Sequence, residues 1–254
     1  YDGFYWNKIF KRDWLIENEC LMPAGMLYAD RPMVHKAYLK AKKIIIIPDI
    51  VYYWRKRTDE TSQSITQMKF DIKNFLDRIS SLEYQLAYFP MLTNNKIYNE
   101  FLKINFERLF LFINGILDNQ EYRKVYFREI QKLLALAKDP FDSDLNITQK
   151  LYLYFIQQNM QDELVHFLSA KENGPIIEEN GRYYWALPYF RHPRMSIPDH
   201  LFEIKELIPQ FVKIDEINLG TNCLSIKKVS LPEIFNITKA KLELQSSHSN
   251  QEHF

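Results

Sequence analysis

Asp30, Arg55, Arg57 and Ser64 are the residues whose types and spacing can do chemistry in this sequence. Asp30 lies in Tyr28-Ala29-Asp30-Arg31-Pro32. An ionised carboxylate there can take a proton from a hydroxyl as its oxygen attacks an activated donor, provided it lies within hydrogen-bond reach. The same residue can cap the helix that Pro32 opens, a contribution of about 0.5–2 kcal/mol, and the two roles are compatible. Arg55-Lys56-Arg57 follows a β-branched, aromatic run. Alternation along an extended chain puts Arg55 and Arg57 on one face and Lys56 on the other. Two guanidinium groups on one face can clamp a diphosphate through forked hydrogen bonds and stabilise a departing anion. They can also form a solvated strand end, balanced by Asp59 and Glu60. Ser64 either donates to the same phosphates or caps the next helix. His35, one turn beyond Arg31, faces the same pocket or the solvent. His192, in a basic Pro-containing loop, either meets an anionic polymer or is solvated. His35, His166, His192 and His200 lack zinc-ligand spacing, so no metal is assigned to this chain.

The elements that must position these groups are legible as patterns. Trp6, Ile9, Phe10 and Trp14 recur at helical spacing over residues 6–16, and Leu21-Met-Pro-Ala-Gly25 interrupts them. Val34, Ala37, Tyr38 and Ala41 form a stripe on the helix that Asp30 opens, closed by Lys40, Lys42 and Lys43. Ile44–Ile47 and Ile50–Trp54 read as two strands separated by Pro48-Asp49. From residue 67 the period becomes helical, in three runs at 72–86, 102–113 and 122–134 and two shorter ones at 151–155 and 164–168. About five helices in an antiparallel bundle are expected, with their aromatic ladders as core. Asp142-Ser143-Asp144 falls among them and is read as helix capping. Ile176-Ile177, Asn180-Gly181 and Tyr183-Tyr184-Trp185 predict a hairpin, and Phe211–Ile217 and Cys223–Val229 predict further strands. The tail from Gln245 is polar and is expected to be disordered.

Bulk properties narrow the function classes. The 254 residues carry 33 basic and 32 acidic side chains, a net charge of +1. No whole-chain field favours nucleic acid, so any anion site must be local. Two cysteines, Cys20 and Cys223, suit a reducing compartment. No apolar run approaches the 18 or so residues of a membrane span. The 18 Phe, 16 Tyr and 4 Trp against 6 Gly fit a helix-rich, well-packed protein. The chain opens Tyr1-Asp-Gly-Phe-Tyr-Trp without an initiator methionine and reads as a fragment of something longer.

An ordered set of motifs joins these residues: Trp6-Asn7-Lys8-Ile9-Phe10-Lys11-Arg12, Met22-Pro23-Ala24-Gly25, Tyr28–Pro32, Ala41-Lys42-Lys43-Ile44, Asp49–Arg55 and Ser64-Ile65-Thr66. That order resembles the acceptor-side half of family-two inverting glycosyltransferases of the GT-A fold, most closely the cytoplasmic enzymes of Gram-positive bacteria that decorate or build wall teichoic acid. The motif-bearing likeness covers residues 1–66. A looser one continues through the helices, the Asn180-Gly181 hairpin and Ile197–Phe202. The fold it implies is α/β followed by mainly α. Residues 1–66 are then an acceptor-side piece of a GT-A domain, 67–170 a helical bundle, 171–244 a β-rich region and 245–254 a tail. It implies transfer of a sugar from a nucleotide-sugar, a UDP-sugar by preference, to a polyol-phosphate polymer or glycan hydroxyl. Asp30 aligns with the catalytic base, Arg55 or Arg57 and Ser64 with the diphosphate grip, and Arg31, His35 and Lys56 with the acceptor side. It places the protein in the cytoplasm, at the inner face of the membrane as a peripheral protein, and allows a homo-oligomer.

Two departures stand out. Ala29 occupies the place of the family's usual glutamate. The Asp-x-Asp element that holds Mg²⁺ or Mn²⁺ on the donor phosphates is missing, so this chain alone is expected to be inactive and only a longer parent active. A rival reading makes the chain a non-catalytic oligomerisation or polymer-binding module, and a third makes it a helical scaffold without a ligand.

Overall fold

Helices here begin where an Asp or Asn stands ready to accept the N–H groups that the first turn leaves without partners. The Asp71 side chain accepts from the Asn74 N–H at 2.7 Å, Asn94 from Ile97 at 3.0 Å and Asn119 from Tyr122 at 2.9 Å. Asn146 accepts from Gln149 at 2.9 Å, while the Gln149 side chain accepts in return from the Asn146 N–H, completing a capping box. These four residues open α3 (Ile72–Leu86), α5 (Asn95–Phe110), α7 (Gln120–Leu136) and α8 (Ile147–Gln157). The remaining helices are α1 (Arg12–Glu17), α2 (Asp30–Lys40), α4 (Phe89–Leu92), α6 (Gly115–Asp118) and α9 (Gln161–Ser169). The computed structural model describes residues 3–53, 68, 70–170, 174–205, 211–219 and 223–235. The chain divides into two compact units, Tyr1–Glu172 and Asn173–Phe254.

The first unit is helical and its core is aromatic. Phe75 of α3 stacks on Tyr126 of α7 with ring centroids 5.1 Å apart, and Tyr122 lies 5.5 Å from the same ring. Phe89 and Phe101 stack at 3.8 Å where α4 meets α5, and Phe155 and Phe167 meet at 5.3 Å between α8 and α9. The buried phenols keep their polar ends satisfied: Tyr126 donates to the Leu109 carbonyl at 3.2 Å and Tyr122 to the Phe112 carbonyl at 3.3 Å. The helical periods at 72–86, 102–113, 122–134, 151–155 and 164–168 all correspond to helices.

Three expectations for the first 66 residues are corrected. The helix read over residues 6–16 forms only from Arg12 to Glu17. Ile9 is fully exposed, and Trp6 stacks on Phe4 at 4.3 Å, so local ring contacts replace the expected stripe. The two strands at 44–54 are not paired strands over the described part, 44–53. Ile45 and Ile46 are 74% and 89% exposed. β-branching favours an extended backbone, but a strand persists only with a neighbour for its N–H and C=O groups, and none is present among the described residues. Finally, residues 1–66 do not separate from the bundle. The break expected near 66–70 lies inside the first unit, where α2 packs on α3, whereas the break near 171 coincides with the unit division.

The second unit is built on antiparallel strands. β1 (Ile176–Glu179) and β2 (Arg182–Trp185) form the expected hairpin, with Ile177 opposite Tyr184, and β3 (Glu203–Ile204) adds to β2. Asn180 and Gly181 both have positive φ, 53° and 76°, the mirror-image turn that matches strand twist. A Cβ on Gly174 would stand 2.2 Å from the Ala186 carbonyl oxygen, so only glycine fits there. β4 (Lys213–Leu219) pairs with β5 (Leu224–Ser230), close to the two strands predicted at 211–217 and 223–229. Helix and antiparallel sheet thus occupy separate units. The tail from Gln245 lies outside the described residues.

Arg191 clasps this second unit. Its guanidinium donates two bonds of 2.7 Å to the Glu179 carboxylate and one of 2.8 Å to Asp199. These bonds hold the Glu179 carboxyl below the usual carboxylate range. A carboxyl depressed in the folded state contributes stability above its unfolded pKa, which is lost as pH falls through the folded value. Two outcomes are expected. The Glu179 titration midpoint, followed by NMR, rises towards the ordinary carboxylate value in Arg191→Gln. Phe75→Ala, which empties the α3–α7 contact, lowers unfolding free energy in urea by about 3–5 kcal/mol.

Candidate functional site

The site grows from one unusual backbone position. Tyr28 has φ 61°, a conformation that costs a non-glycine residue energy and therefore needs surrounding contacts to hold it. Those contacts come from α3. The Tyr28 hydroxyl donates to Asn74 Oδ1 at 2.6 Å and accepts from Arg78 Nη2. The Tyr28 carbonyl accepts from Ser81 Oγ at 2.9 Å. The Arg78 guanidinium lies 3.9 Å over the Tyr28 ring and 4.4 Å from the Phe112 ring, a cation–π sandwich.

Fixing Tyr28 fixes the start of α2. The sequence reading of Asp30 as the residue just ahead of the helix is corrected by one position: Ala29 is the N-cap and Asp30 the first helical residue. Asp30 is half-buried, and its Oδ1 accepts from the Arg31 backbone N–H at 3.0 Å. A carboxylate in the first turn is favoured by the helix dipole. Further along α2, Tyr88 donates to the Pro32 carbonyl at 2.9 Å.

His35 is buried, not at the surface. The Gln85 amide donates to the Ser81 carbonyl at 2.9 Å, which leaves Gln85 Oε1 to accept from His35 Nδ1. That pairing assigns the Nδ1–H tautomer. His35 therefore locks α2 to α3.

Between α2, α3 and α5 lies a small cleft lined by Tyr28, Arg31, Arg78, Ser81, Gln85 and Asn105, among others. Burial, followed by the like charges of Arg108 and Arg78, lowers the Arg31 guanidinium to about 10; the Asp30 carboxylate opposes this. It remains protonated at neutral pH. Burial also lowers Arg78, with Arg108 adding to the effect and Tyr28 opposing it. Among the described residues no carboxylate comes within 4 Å of the Arg31 or Arg78 side chain. Two guanidinium groups, Arg31 and Arg78, thus line one cleft, and Arg108 is near enough to act on both through space. A larger cavity of about 590 Å³ in the second unit, lined by Ile176, Phe211, Pro232 and Ile234 with Lys213 and Glu233 at its wall, carries little chemistry.

The structure therefore brings together Asp30, Arg31 and His35 of the residues singled out from sequence. Arg55, Lys56, Arg57 and Ser64 lie outside the described residues. Tyr28, Arg78 and Arg108 were not recognised as site residues. Their signal is present on α3, where Asn74, Arg78, Ser81 and Gln85 repeat at four, three and four, beside the apolar stripe of Phe75, Ile79, Leu82 and Leu86. Both stripes face inward, and a polar stripe at core spacing is the mark of a built polar site. Within Asp142-Ser143-Asp144, Ser143 is the C-cap of a single 3-10 turn, Pro140–Asp142, and its hydroxyl donates to the Pro140 carbonyl, while Asn146 caps α8. Among the described residues no group of three or more His, Cys, Asp or Glu side chains gathers as a metal ion would require. Arg191, in the basic loop with His192, is engaged by Glu179 and Asp199. No helix among the described residues is long and apolar enough to cross a membrane.

No family model, no curated protein and no solved structure matches this chain.

Tyr28→Phe removes the hydroxyl through which Asn74 and Arg78 are joined. It is expected to cost about 1–3 kcal/mol in urea unfolding, with α2 losing amide-exchange protection before α7.

Proposed function

We propose that this chain is the acceptor-side part of an inverting glycosyltransferase of the GT-A class, acting in the cytoplasm on a nucleotide-sugar donor and a polyol-phosphate or glycan hydroxyl. The observation that carries this reading is the setting of Asp30: a half-buried carboxylate in the first turn of α2, next to Arg31 and the guanidinium cluster. A general base needs a carboxylate within reach of the acceptor hydroxyl, and the first turn of α2 presents one beside Arg31. Asp30 takes the proton of the acceptor hydroxyl. The hydroxyl oxygen then bonds to the anomeric carbon from the face opposite the nucleoside diphosphate, whose bond to that carbon breaks. The electron pair leaves with the diphosphate, and configuration inverts. In this reading Arg55 or Arg57 with Ser64 holds the leaving group, and Arg31 and Lys56 orient the acceptor. His35 has a different part from the one the resemblance gave it: it positions Arg31 by fixing α2 on α3, since its ring is buried against Gln85. The ordered motifs of residues 6–66 support the class, and Mg²⁺ or Mn²⁺ belongs to a donor half that these residues do not supply.

A second reading, an oligomerisation module, draws support from the exposed apolar run Ile44–Tyr53. Sedimentation of a monomer at micromolar concentration would remove it. The deciding experiment for transfer is Asp30→Asn in a protein that carries a donor-binding half ahead of this chain. Transfer is expected to fall by roughly 10²–10⁴-fold, with circular dichroism and the thermal midpoint nearly unchanged, because asparagine keeps the shape and the acceptor for the Arg31 N–H. A rate equal to that of the parent would refute the role.

A further inference from the structure

The geometry points to an oxyanion site in the α2–α3–α5 cleft, one that takes a single phosphate or phosphodiester group between Arg31 and Arg78, with Arg108 adding charge. It rests on the transfer reading only for the source of the group, not for the site itself.

Four observations carry it. First, two of the cations lack a close acidic partner. Arg31 and Arg78 have no carboxylate within ion-pair distance among the described residues, and Arg108 is close enough to push on both. Asp30 opposes this charge only through space, so an anion seated between Arg31 and Arg78 supplies a close counter-charge. Second, donors remain after the internal bonds are assigned. Arg78 Nη2 is committed to Tyr28 and Ser81 to the Tyr28 carbonyl, but Arg78 Nε–H is buried without an acceptor. Asn105, itself buried, gives one amide hydrogen to the Phe101 carbonyl at 2.8 Å and keeps the other.

Third, the size selects the ligand. The cleft is small, with a cavity volume of about 20 Å³. A sugar ring or a nucleobase cannot enter, whereas one or two phosphoryl oxygens can, leaving their substituents outside in water. A tetrahedral anion with several acceptor oxygens also suits the two guanidinium forks of Arg31 and Arg78 better than a single carboxylate does. Fourth, the walls are held in advance. The strained Tyr28, stacked under Arg78, aims that guanidinium, so little ordering remains to be done on binding. The group that fits is thus a phosphate monoester, a free phosphate or one unit of a polymer of phosphodiesters.

The test uses the 254-residue chain, titrated with inorganic phosphate and, separately, with a short polyol-phosphate oligomer, against sodium chloride at matched ionic strength. Binding is read by calorimetry and by ³¹P line broadening. Either ligand is expected to bind and raise the thermal midpoint. Binding of phosphate alone assigns the site to free phosphate, and binding of the oligomer assigns it to a diester-bearing acceptor. Arg31→Gln and Arg108→Gln are each expected to weaken binding by about 10-fold or more. Without phosphate, Arg31→Gln should melt no lower than the parent, since it relieves repulsion. These two variants are chosen because Arg78 also packs against Tyr28 and Phe112, so its replacement can unfold the site. Asp30→Asn should leave phosphate binding intact or tighter, so loss of the transfer reading and loss of the anion site are separately visible. No phosphate effect beyond that of chloride, or unchanged affinity in both arginine variants, would overturn the proposal.

Discussion

One phenol fixes how the start of α2 is held on α3. The Tyr28 hydroxyl bridges Asn74 and Arg78, while its ring lies under the Arg78 guanidinium and its carbonyl is tied to Ser81. Through those contacts a turn with a left-handed residue is pinned to α3, and α2 leaves that turn in one direction only. The positions of Asp30, Arg31 and His35 all follow from that exit. The second fastening, His35 to Gln85, and the third, Tyr88 to the Pro32 carbonyl, lie further along and set the tilt of a helix already aimed.

The arrangement is costly in electrostatic terms, and the way the cost is met is informative. Removing a guanidinium from water is unfavourable, and two neighbours of the same sign add to it. For Arg78, two aromatic faces return part of the lost hydration, and the phenol oxygen supplies an acceptor. Among the described residues no aromatic ring sandwiches Arg31; Asp30 opposes the neighbouring cations through space. A helix seam needing only cohesion would use leucines, as the adjacent stripe of Phe75, Ile79 and Leu82 does. Placing arginines beside that stripe retains a charge density that packing alone would not select.

How much of this could be read from residues alone varies with the range of the forces involved. Helices whose apolar residues recur at three and four, such as 72–86 and 122–134, are local patterns, and they formed. The Asn180-Gly181 turn is also local, because two consecutive positive φ angles need those residue types. By contrast, Ile44–Ile47 has strand-like composition, but pairing is a long-range matter that composition cannot settle, and the run has no paired strand among the described residues. The His35 environment depends on Gln85, fifty residues away, so a surface or pocket position could not be told from its own helix. Arg78 and Arg108 went unnoticed because charges on a helix are usually solvated; only the neighbouring buried Ser81, Gln85 and Asn105 mark them as different.

The bare backbone of Ile44–Tyr53 has a consequence for the behaviour of the chain in solution. Five consecutive residues without a charge, Ile44 to Pro48 with Lys43 just ahead, come close to the composition that stacks into cross-β ribbons. Pro48 interrupts the run and cannot donate a ladder bond, Asp49 adds a negative charge, and Lys40, Lys42 and Lys43 repel a second copy from the other side. The run is thus flanked by gatekeepers on both ends. Its colloidal safety depends on ionic strength, because salt that screens those lysines removes the repulsion while leaving the isoleucines as adhesive as before.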